Sequence, residues 1–219
     1  MRTVVAAIVA SLLGAPLAAQ DDLPQAQRGL RADAWQIGPV IGSRNYSVGM
    51  PLSPIQGPQG WHFDFPYAVV EAGHVHYLTF NHGPLTGKRK IVLRYRIDAR
   101  PGVRFVSQEH PHLPATLSLY FQRRGDNWKA KGRFEAYRWY SPNENLVSLA
   151  PGEHKLELDL DDRWISVWGH TAATNPAGFK GAIDEADRVG FVFGSREGRG
   201  HGVYATGPAR FTVLSFETL

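Results

Sequence analysis

Alternation of hydrophobic and polar residues constrains the fold of this chain more than any other feature of its sequence. In residues 91–98 the odd positions are Ile, Leu, Tyr and Ile, and the even positions are Val, Arg, Arg and Asp. Residues 116–122, 133–139 and 154–160 alternate in the same way. A period of two places successive side chains on opposite faces of a β-strand, so each stretch is predicted to be a strand with one face in the core.

Glycine and proline separate these segments and favour turns between strands. The 219 residues include 23 glycines and 15 prolines. Further strands are expected at residues 74–80, 164–168, 188–193 and 209–216, and the one helix candidate is short, around residues 177–186. Parallel α/β architecture would need crossover helices, and none is evident. We therefore predict an all-β fold, an antiparallel two-sheet β-sandwich of the jelly-roll type with at most one short helix.

The first 19 residues have the features of a secretory signal peptide. A basic start at Arg2 precedes an apolar run that ends at Leu13, and small residues follow up to Ala19. The run is too short to span a bilayer as a permanent helix. We expect cleavage after Ala19, a periplasmic or secreted mature protein, and no transmembrane anchor.

The absence of cysteine means that an exported chain of this kind must depend on a hydrophobic core and not on disulfides. Residues 20–60 are rich in Gly and Pro and are predicted to form a loop-rich segment that wraps the rest. Strand signals begin at residue 61, so residues 61–219 are predicted to be the β-sandwich domain. The formal net charge of +4 is small and the basic residues are scattered, so no nucleic-acid partner is expected.

The closing third of the chain resembles known carbohydrate-binding modules. Residues 164–169 read WISVWG, residues 188–194 read RVGFVFG, and residues 200–203 read GHGV before a last strand. This order of glycines, aromatic residues and a final strand is similar to the end of galactose-binding-like jelly-roll domains. The resemblance implies the fold and a carbohydrate ligand, but it carries over no binding residue by position.

The outer face of three consecutive predicted strands carries side chains that suit a sugar ligand. A solvated face usually carries Lys, Glu, Thr and Ser, whereas these strands present Arg, Tyr, Gln, Glu and Trp. Aromatic rings stack on the apolar faces of pyranose rings, and planar side chains can form paired hydrogen bonds to neighbouring hydroxyl groups. The predicted ligand-binding residues are Arg94, Arg96, Tyr120, Gln122, Glu135, Tyr137 and Trp139, with His201, next to Arg199, at the border of the site.

Two alternatives remain open for the same face. In one, residues 20–60 cover it and the aromatic side chains anchor that cover. In the other, the face is catalytic, because it resembles the concave sheet of jelly-roll polysaccharide lyases, in which Arg neutralises a uronate and Tyr or His moves protons. Residues 133–138, RFEAYR, are similar to an Arg/Glu/Arg strand motif of alginate lyases, although the spacing departs from it and the companion Gln/His motif is not evident.

Other candidate sites give weaker signals. Residues 157–162, ELDLDD, are similar to the paired-carboxylate strand of laminarinase-type glycosidases, but Asp162 is one carbon too short, so a solvated strand ending in an Asp-Asp turn is favoured. His74 and His76 would point the same way on a strand, yet Thr79 and Phe80 stand where a cupin metal site needs Glu. No cofactor is expected; a structural Ca²⁺ ion would suit such a sandwich but leaves no signature in the sequence.

Together these features predict an exported, non-catalytic protein that binds carbohydrate or another polar polymer of the cell envelope. The alternative is a jelly-roll polysaccharide lyase or glycosidase that acts on an acidic polysaccharide. A third class, an envelope assembly protein, would instead expose a large apolar patch.

Overall fold

Two antiparallel sheets make up most of the structure, a computed structural model that describes residues 25–68 and 75–219. The prediction of an all-β antiparallel sandwich is confirmed. The predicted signal peptide, residues 1–19, lies outside the described residues. No helix in the described part of the chain is long and apolar enough to cross a membrane.

The larger sheet has seven strands. In spatial order they are β1 (Trp35–Gly38), β6 (His76–Asn81), β14 (Ala186–Gly194), β9 (Thr116–Arg123), β10 (Arg138–Tyr140) and β13 (Ile165–Ser166), with β11 (Val147–Ser148) also paired to β9. The smaller sheet has five strands, in the order β12 (Gly152–Asp159), β7 (Lys90–Ala99), β16 (Ala209–Thr218), β5 (Gly60–Asp64) and β4 (Ile55–Gly57).

The remaining elements are short. Two pairs of strands stand apart from the sheets: β2 (Val40–Ile41) with β3 (Arg44–Asn45), and β8 (Phe105–Ser107) with β15 (Val203–Ala205). The helices are α1 (Gln25–Gly29), α2 (Pro176–Asp184) and three 3₁₀ turns at Ala32–Ala34, Gly132–Phe134 and Asn143–Asn145. The short helix expected near residues 177–186 is therefore present as α2. Asn175 caps it by accepting a hydrogen bond from the backbone N–H of Gly178 (2.9 Å).

Aromatic side chains fill the space between the two sheets. The ring of Trp35 contacts the rings of Trp61, Phe80, Phe191 and Phe216 at centroid distances of 4.7–5.7 Å, and all five side chains are buried. Each large ring removes much apolar area from water, and Trp35 packs edge-on or tilted against its four neighbours. This core stabilises a chain that has no disulfide.

The segment before residue 61 contributes strands to both sheets. Strand β1 pairs with β6 in the larger sheet, and β4 pairs with β5 in the smaller one. At its start, the carbonyl oxygen of Gly29 accepts hydrogen bonds from the indole N–H groups of both Trp35 and Trp61, each 3.0 Å long. A Cβ atom at Gly29 would collide with the backbone oxygen of Phe216, so only glycine fits this contact with β16.

For residues 91–98 and 116–122, the prediction of which side chains face the core agrees with the structure. In β7 the side chains of Leu93 and Tyr95 lie in the core and Arg94 is exposed. In β9, Leu119 and Phe121 lie in the core. Hydrophobic side chains at every second position therefore set which face of each strand packs against the opposite sheet.

Removing either core leucine should destabilise the fold strongly. Leu93→Ala and Leu119→Ala are each expected to lower the free energy of unfolding by about 2–5 kcal/mol, since both side chains are fully buried. Urea unfolding of the mature protein measures the change. Arg94→Ala is the matched control, because this neighbour is exposed and should shift stability by less than about 0.5 kcal/mol. Equal stability of all three variants would contradict the assigned phase.

His82 should make the stability of the fold depend on pH. Its Nδ1 donates to the carbonyl oxygen of Gly83 (2.9 Å) and its Nε2 accepts from the hydroxyl of Thr218 (2.7 Å), which ties the end of β6 to β16. Burial lowers the pKa of His82, and the charges of Lys88 and Arg28 add to this effect. The unfolded chain, with an ordinary His pKa of about 6.5, therefore binds a proton more readily than the folded one.

The expected result is a free energy of unfolding that decreases as the pH falls through the ordinary His range. His82→Gln keeps a polar side chain but cannot take up that proton, so its stability should fall less steeply between neutral pH and pH 5. Denaturant unfolding of both proteins across this range gives the comparison. Parallel curves would show that His82 is not the group responsible.

Candidate functional site

The outer face of the larger sheet is buried under loops, although it carries mostly polar side chains. On β9 the outward-pointing Ser118, Tyr120 and Gln122 are as inaccessible to solvent as the inward-pointing leucines. Tyr120 belongs to a second buried group, separate from the aromatic core between the sheets, and its hydroxyl donates a hydrogen bond to Gln122. We call this group the tyrosine cluster; its members are Tyr77, Gln122, Asp126, Trp128, Arg138, Tyr120 and Tyr140.

Three strands of the larger sheet bring the tyrosines together. Tyr77 lies on β6, Tyr120 on β9 and Tyr140 on β10, and Tyr140 is directly opposite Tyr120 in the strand register. The ring of Tyr120 is 4.9 Å from that of Tyr77 and 5.3 Å from that of Tyr140. The hydroxyl groups of Tyr77 and Tyr140 share a hydrogen bond of 2.7 Å. Between β6 and β9, β14 contributes Val192 to the same patch.

A buried ion pair continues the cluster towards the loop that follows β9. The Nε atom of Arg138 lies 3.0 Å from Oδ2 of Asp126, and both side chains are almost fully buried. Gln122 donates to the same carboxylate oxygen (2.8 Å) and accepts from the hydroxyl of Tyr120 (2.7 Å). The guanidinium of Arg138 also donates to the carbonyl oxygen of Trp128 (3.0 Å) and stacks over its ring. These hydrogen bonds offset part of the cost of burying two charges.

Burial dominates the electrostatics of the cluster. It raises the pKa of Tyr77, Tyr120 and Tyr140, so the three phenols stay neutral at physiological pH. It also raises the pKa of Asp126, since the attraction of Arg138 offsets only part of the desolvation. For Arg138, burial alone would lower the pKa, but the surrounding tyrosine oxygens and Asp126 outweigh it and the pKa is raised.

Two loops close the cluster from above. Residues 124–131, which we call the cap loop, bring Trp128 edge-on against Tyr77, with ring centroids 5.1 Å apart. Trp128 and Ala130 both adopt positive φ angles (65° and 51°), a conformation that costs a non-glycine residue about 1–2 kcal/mol. Such strain persists only where surrounding contacts enforce it. In the second loop, a Cβ atom at Gly200 would lie 2.5 Å from the ring of Tyr77, so this close approach requires glycine.

An exposed tryptophan stands beside the cap loop. The side chain of Trp168 is 58% exposed, and its indole N–H donates to the carbonyl oxygen of Ala130 in the cap loop. Its neighbour Val167 is also exposed, and the backbone N–H of Val167 donates to the carbonyl oxygen of Arg138 (3.2 Å). The turn after β13 is thus bonded both to the cap loop and to the strand that carries Arg138.

Of the sequence-predicted site residues, Tyr120 and Gln122 belong to the tyrosine cluster, whereas Arg94 and Arg96 lie on the outer face of the smaller sheet. Arg96 donates to Asp98 (3.0 Å) and to Gln59 (2.9 Å) there. The expectation of one shared face is wrong for these arginines, because β7 and β9 follow each other in the chain but belong to different sheets.

The prediction that Trp139 points outward is also wrong. Its side chain is fully buried in the core, 4.9 Å from the ring of Phe179, and its indole N–H donates to the carbonyl oxygen of Ala136 (2.8 Å). The expected strand over residues 133–139 is reduced to β10 because a 3₁₀ turn, Gly132–Phe134, precedes it. The turn changes the phase, so Arg138 and Tyr140 point outward in place of Trp139.

The other predicted residues lie in loops. Glu135 closes the 3₁₀ turn by accepting from the backbone N–H of Gly132 (3.2 Å), and Tyr137 lies half-buried under the guanidinium of Arg123, 4.8 Å away. His201 is exposed and pairs with Glu109 of a neighbouring loop. None of these three side chains enters the hydrogen-bond network of the tyrosine cluster described above.

Sequence reasoning missed most of the cluster. Tyr77 lies within a predicted strand, residues 74–80, whose side chains were not assigned to a face, and Arg138 and Tyr140 were not among the predicted site residues. A signal was available for the latter two, since Gly132 and Glu135 are poor strand residues and indicate a turn before β10. Trp168 was included in a predicted strand, although the Gly that follows it favours an exposed turn.

The structure gives little support for a metal site or for a catalytic pair of carboxylates. Within residues 25–68 and 75–219, no three His, Cys, Asp or Glu side chains are placed to hold a metal ion. His74 lies outside the described residues. Glu157 pairs with Lys155 and Lys90, whose hydrogen bonds lower its pKa to about 2. Asp162 accepts a hydrogen bond from the backbone N–H of Asp159 (3.1 Å), as expected of a turn.

Comparison with protein-family models and with curated proteins gives no match for this chain.

Trp139 and Trp168 should respond in opposite ways to truncation. Trp139→Ala is expected to cost about 3–5 kcal/mol of stability, as truncation of a core aromatic does. Trp168→Ala should cost less than about 1 kcal/mol, because most of its ring is exposed. Urea unfolding followed by far-UV circular dichroism avoids the loss of a tryptophan signal. A stable Trp139→Ala variant would contradict the phase of β10.

Proposed function

We propose that this chain is an exported, non-catalytic protein that binds carbohydrate or another polar polymer of the cell envelope at the outer face of the larger sheet, beside the cap loop. The exposed ring of Trp168, held by its hydrogen bond to Ala130, is the observation that carries the proposal. A fixed, exposed aromatic ring suits stacking on a pyranose because little side-chain entropy is lost on binding.

The surroundings of Trp168 provide the polar groups that a sugar needs. The cap loop exposes the side chains of Asn127 and Lys129, and His170 lies two residues beyond Trp168. Beneath the loop, the tyrosine cluster and its ion pair fix the position of Trp128. A rigid support under a polar surface favours recognition of a flexible polymer, since the protein side is already ordered.

The sequence supports the same proposal in two further ways. Residues 1–19 have the pattern of an export signal, and an exported protein encounters envelope polymers. The sandwich architecture agrees with the resemblance of the closing third to galactose-binding-like jelly-roll domains, which occur as carbohydrate-binding modules. That finer assignment is part of the proposal.

The catalytic alternative receives less support. It needs an arginine and a proton-transferring tyrosine on one accessible face, whereas Arg94 and Tyr120 lie on opposite outer faces of the sandwich. The phenols of the tyrosine cluster are buried, and their raised pKa values keep them protonated, so they are not available to accept a proton. This separation favours binding without turnover.

A glycan array followed by calorimetry on the mature protein tests the proposal. Trp168→Ala is expected to weaken binding of the best glycan by about 1–3 kcal/mol, the scale of an aromatic anchor, without unfolding the protein. Tyr67→Ala is the matched control, because Tyr67 is 57% exposed but lies three residues after β5 of the other sheet, and its loss should leave binding unchanged.

Three outcomes would count against the proposal. Failure to bind any poly- or oligosaccharide would remove its basis, and equal losses for both variants would show that Trp168 is not the anchor. An increase in the absorbance of unsaturated uronates during incubation with acidic polysaccharides would show lyase activity and favour the catalytic alternative.

A further inference from the structure

Arg199 has a half-buried guanidinium, and its hydrogen-bond partners are neutral. It lies in the loop between β14 and β15, next to the Gly200 that touches Tyr77. Its Nη2 donates to the side-chain oxygen of Asn143, and its Nη1 donates to the carbonyl oxygen of Arg196 (3.3 Å). Its Nε is buried without a hydrogen-bond partner. In the described part of the chain, no carboxylate forms an ion pair with it.

Comparison with Arg138 shows that Arg199 lacks a carboxylate partner. Arg138 is buried on the same face of the sheet, but Asp126 compensates its charge at 3.0 Å. Burial lowers the pKa of Arg199, and the nearby charge of Arg196 lowers it further, while the attraction of Glu144 is a smaller effect. Partial removal of a cation from water costs free energy when no anion lies beside it. The position of Arg199 therefore favours binding of a negatively charged group.

The geometry of the guanidinium also suits a carboxylate. A guanidinium carries five N–H donors, one on Nε and two on each terminal nitrogen. The bonds to Asn143 and to Arg196 use one donor on each terminal nitrogen, and Nε is buried. One N–H therefore remains on each terminal nitrogen, and a guanidinium can bind the two oxygens of a carboxylate through two of its N–H groups.

We propose that Arg199 binds a carboxylate of the ligand, so that the polymer recognised at this face is an acidic polysaccharide containing uronate units. This inference rests on the proposed function and specifies its substrate class. Asn143 orients the guanidinium, and the half-buried position of Arg199 strengthens the ion pair by excluding water from one side.

Pairs of ligands that differ only in the charge of the carboxylate test this proposal. Oligomers of galacturonate, glucuronate and mannuronate are titrated calorimetrically into the mature protein, each beside its methyl ester, which keeps the rings and hydroxyl groups but lacks the charge. Wild-type protein should bind at least one acid about tenfold more tightly than its ester, a difference typical of a paired charge-assisted contact. Added salt should weaken binding of the acid and leave binding of the ester unchanged.

Two arginines of the same loop provide the variants. Arg199→Gln should abolish the preference for the acid while binding of the ester stays at the wild-type level. Arg196→Gln is the control and should keep the preference, because this side chain is exposed and its backbone carbonyl remains. Arg199→Lys keeps the positive charge but lacks the paired N–H donors of the guanidinium, so it should retain part of the preference for the acid. Thermal melts show whether each variant is folded.

The outcomes separate this inference from the proposed function. Binding of acids and esters with equal affinity, still dependent on Trp168, would overturn the inference and leave the proposed function standing. A preference that survives Arg199→Gln would overturn the assignment to Arg199. Tighter binding of a sulfated oligosaccharide than of any uronate would overturn the choice of anion, and no binding of any oligomer would overturn both proposals.

Discussion

Packing of aromatic rings between the two sheets is the interaction on which the rest of this structure depends. Without cysteine, nothing covalent holds the sheets together, and the contacts around Trp35 and Phe191 supply that link. The carbonyl oxygen of Gly29 accepts hydrogen bonds from two buried indole N–H groups, those of Trp35 and Trp61. These bonds connect the segment before residue 61 to the core. The strands that carry the outer-face side chains are positioned only because this inner layer is rigid.

The larger sheet is buried on both faces, and the layers of side chains on these two faces differ in chemistry. The inner layer is apolar, and the outer layer is a polar network in which hydrogen bonds join Tyr120, Gln122 and Asp126, and Arg138 pairs with Asp126. Such a network requires particular partners in particular places, so it specifies the conformation of the cap loop more sharply than apolar packing would. Beside it, Trp168 is hydrogen-bonded to Ala130 of the cap loop, and the half-buried Arg199 is hydrogen-bonded to Asn143 and Arg196.

The fold could be predicted from the sequence further than the site could. Alternation placed Leu93 and Leu119 correctly because a long strand repeats its signal over several residues. It failed at Trp139, where a single turn of 3₁₀ helix shifted the phase of a three-residue strand. It also could not show that β7 and β9 belong to different sheets, since pairing depends on contacts between distant parts of the chain. Asp126 and Trp128 lie in a loop, where no periodicity exists to reveal a buried role.

The contact between Gly29 and Phe216 has a consequence for the order of events during synthesis. It joins α1 to β16, the middle strand of the smaller sheet, so the first and last described elements meet in one place. As the chain emerges from the ribosome, β7 and β5 have no strand to pair between them until the final residues appear. The nascent chain therefore cannot complete its smaller sheet until its last strand has been synthesised.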